Sequence, residues 1–200
     1  MELYVPKIKE INIDFRLNPV TPDPIIIKGV EVERVESHKY LGAMFDNKLN
    51  WSVNTSEIMK KLNTRLYCLR KLSSFHVNQN ILQMFYSSVI SSVLTFGITC
   101  WGGNVLQRDA DRLNRIIIKA SDVIGQSQDN IDQLLEKRTH KKIDKILKDT
   151  THPLYENFDA LKITRSGRFR LPKIRTNRYR DSFLPYAIRL YNKNRGRSAI

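Results

Sequence analysis

The sequence predicts an α+β chain, mainly α. A small N-terminal antiparallel β region leads into a helical bundle and then a basic C-terminal extension with a short helix. Three observations predict this. Apolar and polar residues alternate at period two up to the stretch Lys39–Asp46. From Trp51 onward, apolar residues recur every three or four positions. The charge also turns basic along the chain: residues 1–50 hold 7 Lys/Arg against 8 Asp/Glu, whereas residues 151–200 hold 12 against 3. The expected divisions are therefore 1–50, 52–150 and 151–200, in a chain long enough for a real core.

In the first division, Ile11, Ile13 and Phe15 alternate with Asn12, Asp14 and Arg16, which predicts a half-buried strand. Asn18-Pro19 and Pro22-Asp23-Pro24 mark a loop. Lys28-Gly29, between Ile25–Ile27 and Val30–Glu33, predicts a tight hairpin, and Tyr40–Phe45 a further strand. No helix in this division is long enough to cover a sheet, so its strands must pack on later helices or belong to a larger sheet.

The second division starts a helix near Asn54, with Asn54 and Glu57 at capping-box spacing. Ile58, Leu62, Leu66, Leu69 and Leu72 form its apolar stripe, and Lys60, Lys61, Arg65, Arg70 and Lys71 lie elsewhere on the wheel. A second helix, from about Asn78 to Thr99, carries Leu82, Phe85, Val89 and Val93 on one side with Ile81, Ile90 and Leu94 nearby. Being apolar nearly all round, it is expected at the centre of the bundle. A third runs from near Asp109 to Gly125, with Leu113, Ile116, Ile117, Ala120 and Val123 inward. A fourth runs from about Asn130 to Leu147 on Leu134, Leu135, Ile143, Ile146 and Leu147. Past His152-Pro153 the pattern weakens, until a short helix at Ser182–Tyr191 that tolerates Pro185 only in its first turn.

The composition excludes several classes of chemistry. Cys68 and Cys100 fall inside apolar helical patterns with no second Cys at metal spacing, so both are expected as core thiols. The four histidines are scattered. There is no His-x-Asp followed by a distant His, no His-Glu-x-x-His, no Gly-rich phosphate loop and no Gly-x-Ser-x-Gly. Asp109 and Asp111 open a predicted helix, where acids favour the dipole. No metal or cofactor is expected. The start MELYVPKIKE lacks a signal-peptide core, and Val89–Trp101 is too short and polar for a bilayer span. An intracellular protein, nuclear or cytoplasmic and off the membrane, is expected.

The strongest positive signal is the segment Lys162–Arg180, with eight Lys/Arg and no acid in nineteen residues. Arg165, Arg168, Arg170, Lys173, Arg175, Arg178 and Arg180 are candidate phosphate contacts, with Phe169 and Tyr179 interleaved. Arg outnumbers Lys there, which favours forked contacts. Together with Lys60, Lys61, Arg65, Arg70 and Lys71, these are the expected nucleic-acid-binding residues. An acidic protein docked on the same run is the competing reading.

The order of the pieces adds a resemblance. The runs Lys7–Arg16, Val35–Gly42, Asp46–Trp51 and Arg65–Leu72, then Phe85-Tyr86, Cys100-Trp101-Gly102 and Asn177–Arg189, together resemble the reverse transcriptases of non-LTR (LINE-type) retrotransposons. In that family a lysine segment closes the palm, and Lys7 or Lys9 matches it. Tyr40, Leu41 and Gly42 match the stretch at the primer-grip end. The helices beyond form a thumb that holds the RNA–DNA hybrid. The family's Tyr-x-Asp-Asp metal motif lies upstream of the lysine segment, and this chain begins after that point. The resemblance thus implies a truncated reverse transcriptase fragment, with residues 1–50 a palm remnant, that binds RNA or hybrid backbone and does not catalyse by itself. Such segments are also similar to a domain named for the N-terminal region of an AlkB-type tRNA-modifying dioxygenase and methyltransferase. That likeness implies oxygenase or methyl-transfer chemistry, for which the chain shows neither a facial triad nor a Gly-rich cofactor loop.

Overall fold

Charge pairing and tight turns organise the first quarter into three separate two-stranded ladders. The structure, a computed structural model, describes residues 5–197. The first four residues, within the start read for a signal sequence, and the last three of the basic extension lie outside the described residues. Strands β1 (Lys9–Glu10) and β4 (Glu33–Arg34) pair with opposite charges in register, Lys9 with Glu33 and Glu10 with Arg34. This ladder is parallel, which departs from the antiparallel expectation. Strands β2 (Ile26–Ile27) and β3 (Val30–Glu31) form the expected hairpin, with φ of 51° at Lys28 and 75° at Gly29. Strands β5 (Ser37–Tyr40) and β6 (Ala43–Asp46) form a second hairpin around Leu41-Gly42. Residues 11–15 form no strand, contrary to the alternation. The β1–β4 ladder stops at Glu10, and the Asp14 carboxylate turns back onto Arg16, leaving Ile13 and Phe15 exposed.

The handover at Asp46 is built from side chains. Asp46 Oδ1 accepts the Lys48 amide at 2.9 Å, which bends the chain toward helix α1 (Ser52–Ser74). Trp51, buried and edge-on to Phe45 with ring centroids 5.2 Å apart, sets the start of α1 two residues before Asn54. The expected Asn54–Glu57 capping box is therefore absent. Asn54 lies in the first turn of the helix and its Oδ1 accepts the Met44 amide at 3.1 Å, fastening β6 to α1. Glu57 pairs with Lys60 instead.

The expected single helix over 78–99 is interrupted. Helix α2 (Gln79–Phe85) passes through a π-helical turn (Tyr86–Ile90) into α3 (Ser91–Thr95). The chain then breaks at Phe96-Gly97 and resumes as α4 (Ile98–Trp101). The buried stripe is Leu82, Tyr86, Ile90, Leu94 and Ile98, one residue in four, and not the Leu82–Phe85–Val89–Val93 side. A four-residue repeat outruns a 3.6-residue turn, and the wider π turn absorbs the drift. Ser87 and Ser88 donate to the Gln83 and Met84 carbonyls at 2.9 and 2.8 Å around that turn. The opposite face is not enclosed: Ile81, Met84 and Phe96 are exposed. By length and composition alone, Gln79–Asn104 is long and apolar enough to cross a membrane; here its inward stripe packs into the protein core.

Helix α5 (Gln107–Ile124) ends at Gly125 with φ of 74°, as its glycine predicts. Helix α6 (Ile131–Lys148) starts from a capping box in which Asn130 and Gln133 bond each other's backbone amides. Shorter α7 (Tyr155–Asp159) and α8 (Asn177–Arg180) precede α9 (Phe183–Arg197), which outruns the expected end at Tyr191. Two cores result, with α6 contributing to both. Ile131, Leu134 and Leu135 join the α1–α5 core, while Ile143 and Ile146 pack with Phe158, Phe169, Ala187 and Ile188. Asp109 does more than face a dipole: it is buried, accepts from Ser52 Oγ at 2.8 Å and pairs with Arg112, joining α5 to the start of α1.

Cys68 and Cys100 are exposed, which corrects the expectation of core thiols. Cys68 points away from the Leu62–Leu66–Leu69 stripe. The Phe96-Gly97 break rotates α4 so that Ile98 and Trp101 turn inward and Cys100 outward.

Candidate functional site

A cleft of about 390 Å³ opens where the β5–β6 hairpin meets α1 and α3. Lys39, Gly42, Met44, Asn54, Lys61, Arg65 and Phe96 are among the residues that line it. At the hairpin tip, Leu41 and Gly42 have φ of 45° and 90°. Gly42 is needed on two counts. Its φ is one that L residues rarely adopt, and a Cβ there would lie 3.0 Å from Cε1 and Cζ of Phe96. Tyr40 and Leu41 project from the tip into solvent, with Tyr40 edge-on to Phe45.

Cations dominate the cleft. Its carboxylate, Glu57, is held below the usual range first by the hydrogen bond from Lys60, then by the charges of Lys60, Lys61 and Lys39. Arg65 donates to the Val89 carbonyl, so its guanidinium is anchored against the π turn. Asn54 is buried, and its Nδ2 has no hydrogen-bond partner. A buried donor left unmet costs on the order of 1–3 kcal/mol. That amide nitrogen lies beneath the cleft surface, out of contact with solvent.

The structure brings Gly42, Lys61 and Arg65 of the expected residues together here, with Lys60 beside them on Glu57. Arg70 and Lys71 lie farther along α1, where Lys71 sits 6.0 Å from the Phe75 ring. The basic segment divides. Residues 162–170 form a small hairpin: Lys162 bridges Phe169, Gly167 turns at φ of 59°, and Asn192 bonds both the amide and the carbonyl of Phe169. Phe169 is buried against Phe158 and Tyr191, so it is core and unavailable for stacking on a base. Arg165, Arg168 and Arg170 stand exposed on this pinned hairpin, with Lys173 and Arg175 exposed beyond it. Arg178 and Arg180 have internal roles. Arg178 stacks 3.5 Å from the Phe15 ring centroid and donates to the Lys48 carbonyl, and Arg180 pairs with Asp181.

Sequence reasoning missed Lys39, Asn54 and Phe96, because only the tertiary fold brings the hairpin tip to α3. It also missed a second groove of about 310 Å³ lined by Arg138, Lys141, Lys142, Lys145 and His152 against Thr95–Thr99. The i, i+3, i+4, i+7 spacing of its four cations was legible on α6. Among the described residues, no group of three or more His, Cys, Asp or Glu is arranged to hold a metal ion.

Residues 51–92, which include α1, match the family described as alkylated DNA repair protein alkB homolog 8, N-terminal. Over 98 residues the chain is 26% identical to a probable RNA-directed DNA polymerase from transposon X-element of Drosophila melanogaster. That similarity takes in 47% of this chain and 11% of the polymerase. No solved structure matches. The chain is thus similar in part to a transposon polymerase, and in a shorter part to the AlkB-homologue N-terminal family.

Proposed function

We propose that the chain grips the backbone of RNA or an RNA–DNA hybrid, and that its role is binding without catalysis. One observation carries the reading: Lys39, Lys61 and Arg65 converge on one cleft, against a single lining carboxylate, Glu57. Phosphate oxygens suit those charges. The partial similarity to a transposon polymerase agrees with such a role for a thumb-like segment. Tyr40, Leu41 and Gly42 would act as the grip beside the cleft, and Arg165, Arg168 and Arg170 as a second contact. The same reading has the protein act inside the cell, in the nucleus or cytoplasm and off the membrane.

The test is a titration of structured RNA and hybrid across salt. About five phosphate contacts predict roughly a few-hundred-fold loss of affinity between 50 and 200 mM salt. Lys61→Glu weakens binding, and Arg168→Ala with Arg170→Ala lowers the salt slope by about 2 with unchanged helix content. Affinity that stays flat with salt overturns the proposal. Binding to a protein partner that survives nuclease treatment, with no affinity for RNA, assigns the surface to an acidic protein instead.

A further inference from the structure

The two cationic depressions share a crest. Phe96 lines the first, and its neighbours Thr95 and Gly97 line the second. Phe96 is 55% exposed and belongs to neither core. It is also held in place. Its carbonyl accepts Trp101 Nε1 at 2.9 Å, and Arg138 donates to Thr95 Oγ1 at 3.0 Å. One ring edge rests over Gly42, where a Cβ would crowd it at 3.0 Å. The fold therefore displays an aromatic face on a fixed elbow.

On the far side of that elbow, Arg138, Lys141, Lys142 and Lys145 occupy one face of α6 that rises about 10 Å. No carboxylate is among the residues lining this groove. His152 Nδ1 accepts the Leu154 amide at 3.1 Å, so in the neutral ring the proton sits on Nε2, which makes Nε2 a donor. Thr99 adds a hydroxyl, while Thr95 Oγ1 donates to the Ser91 carbonyl at 2.8 Å. The groove is rich in donors and calls for an anion, and the cleft beyond Phe96 sets three cations, Lys39, Lys61 and Arg65, against the one carboxylate of Glu57.

We infer that Phe96 is a stacking platform for an unpaired base, with the strand crossing the elbow and its phosphates entering the cationic depression on each side. This rests on the nucleic-acid reading above and narrows it to single-stranded nucleic acid. A duplex keeps its bases stacked on each other and offers an aromatic crest no free face, whereas an unpaired base offers one and its flanking phosphates reach both grooves.

The test compares a single-stranded RNA about a dozen nucleotides long with a hybrid duplex of the same length, by fluorescence anisotropy. Phe96→Leu keeps apolar volume over Gly42 and removes the aromatic face. It weakens the single strand about tenfold and leaves the duplex unchanged. Lys141→Glu with Lys145→Glu weakens the single strand and lowers its salt slope. In the unmutated protein, a 5-bromouracil-substituted strand crosslinks at Phe96 on irradiation. Equal weakening of both nucleic acids by Phe96→Leu overturns the inference, as does an unaltered single-strand affinity with no crosslink at Phe96; in both cases the broader reading stands. Absence of any binding to either probe overturns both. A polyglutamate peptide that binds as tightly as the RNA and ignores Phe96→Leu gives the track to an acidic protein and also overturns the inference.

Discussion

Gly103→Ala is a sharp test of how the C-terminal segment is docked. A Cβ at Gly103 would lie 2.2 Å from the Asp181 carbonyl oxygen, an approach real Cβ atoms do not make. Both partners are backbone, so no side chain can swing aside; the two segments must part by about 1 Å. Asp181 resists that movement because Arg180 and Arg189 both pair with its carboxylate, while Arg189 also holds the Arg180 carbonyl at 2.7 Å. Overpacking of this kind costs about 2–3 kcal/mol. Alanine in the 3₁₀ turn Gly102–Asn104 recovers about 0.5–1 kcal/mol of backbone entropy. The net loss is about 1–2 kcal/mol, or roughly 3–6 °C in Tm for a chain of this size. Thermal unfolding reads the loss, and amide exchange should quicken around residues 180–182. Gly29→Ala is the control: no atom lies within 4 Å of its Cβ, and φ of 75° alone costs about 1 kcal/mol. If Gly103→Ala melts at or above the unmutated protein, or if exchange near Asp181 is unaltered, the C-terminal segment is not docked through Gly103 and Asp181.

Tyr86→Phe should stabilise the protein by about 1 kcal/mol in urea titrations, because the Tyr86 hydroxyl is buried with no partner. Burial, aided by Asp129, also pushes the Tyr86 phenol up to about 12 from 10.0. The stability tied to its protonated form is complete below 10.0 and is lost as pH rises through about 12, so Tyr86→Phe should blunt alkaline unfolding in that window; Tyr186, also pushed up to about 12, keeps its share. Asp181 behaves in the opposite sense. The Arg180 hydrogen bond, then the charges of Arg180 and Arg189, hold its carboxyl below 3.8, so its contribution is present above 3.8 and is lost as pH falls through the lowered value. Asp181→Asn should remove that acid-limb dependence in pH-jump unfolding. Both thiols should react with an aromatic disulfide reagent in the native state without unfolding; protection of either one contradicts its exposed position.

Helix positions were legible where a local rule was enough. The Leu62–Leu66–Leu69 stripe, Gly125 as a C-cap and the Lys28-Gly29 turn each depend on neighbours within a few residues. The failures share a different cause. Asn54 has the spacing of a cap, but Trp51 packing on Phe45 moved the helix start and made Asn54 a clamp on β6. Phe169 reads as a ring for stacking on a base, but Phe158 and Tyr191 claim it for the core. Cys100 read as core until the Phe96-Gly97 break rotated the chain.

By itself, then, the sequence determined that a strand region precedes the helices, the basic drift, and the handover at Lys39–Asp46, because period and charge are properties of adjacent residues. Only the tertiary structure decided which cations face one cleft. Hairpin tip, α1 and α3 meet through contacts between residues about fifty positions apart, such as Gly42 under Phe96. That meeting leaves an aromatic face in solvent between two basic grooves, a placement that no local pattern encodes.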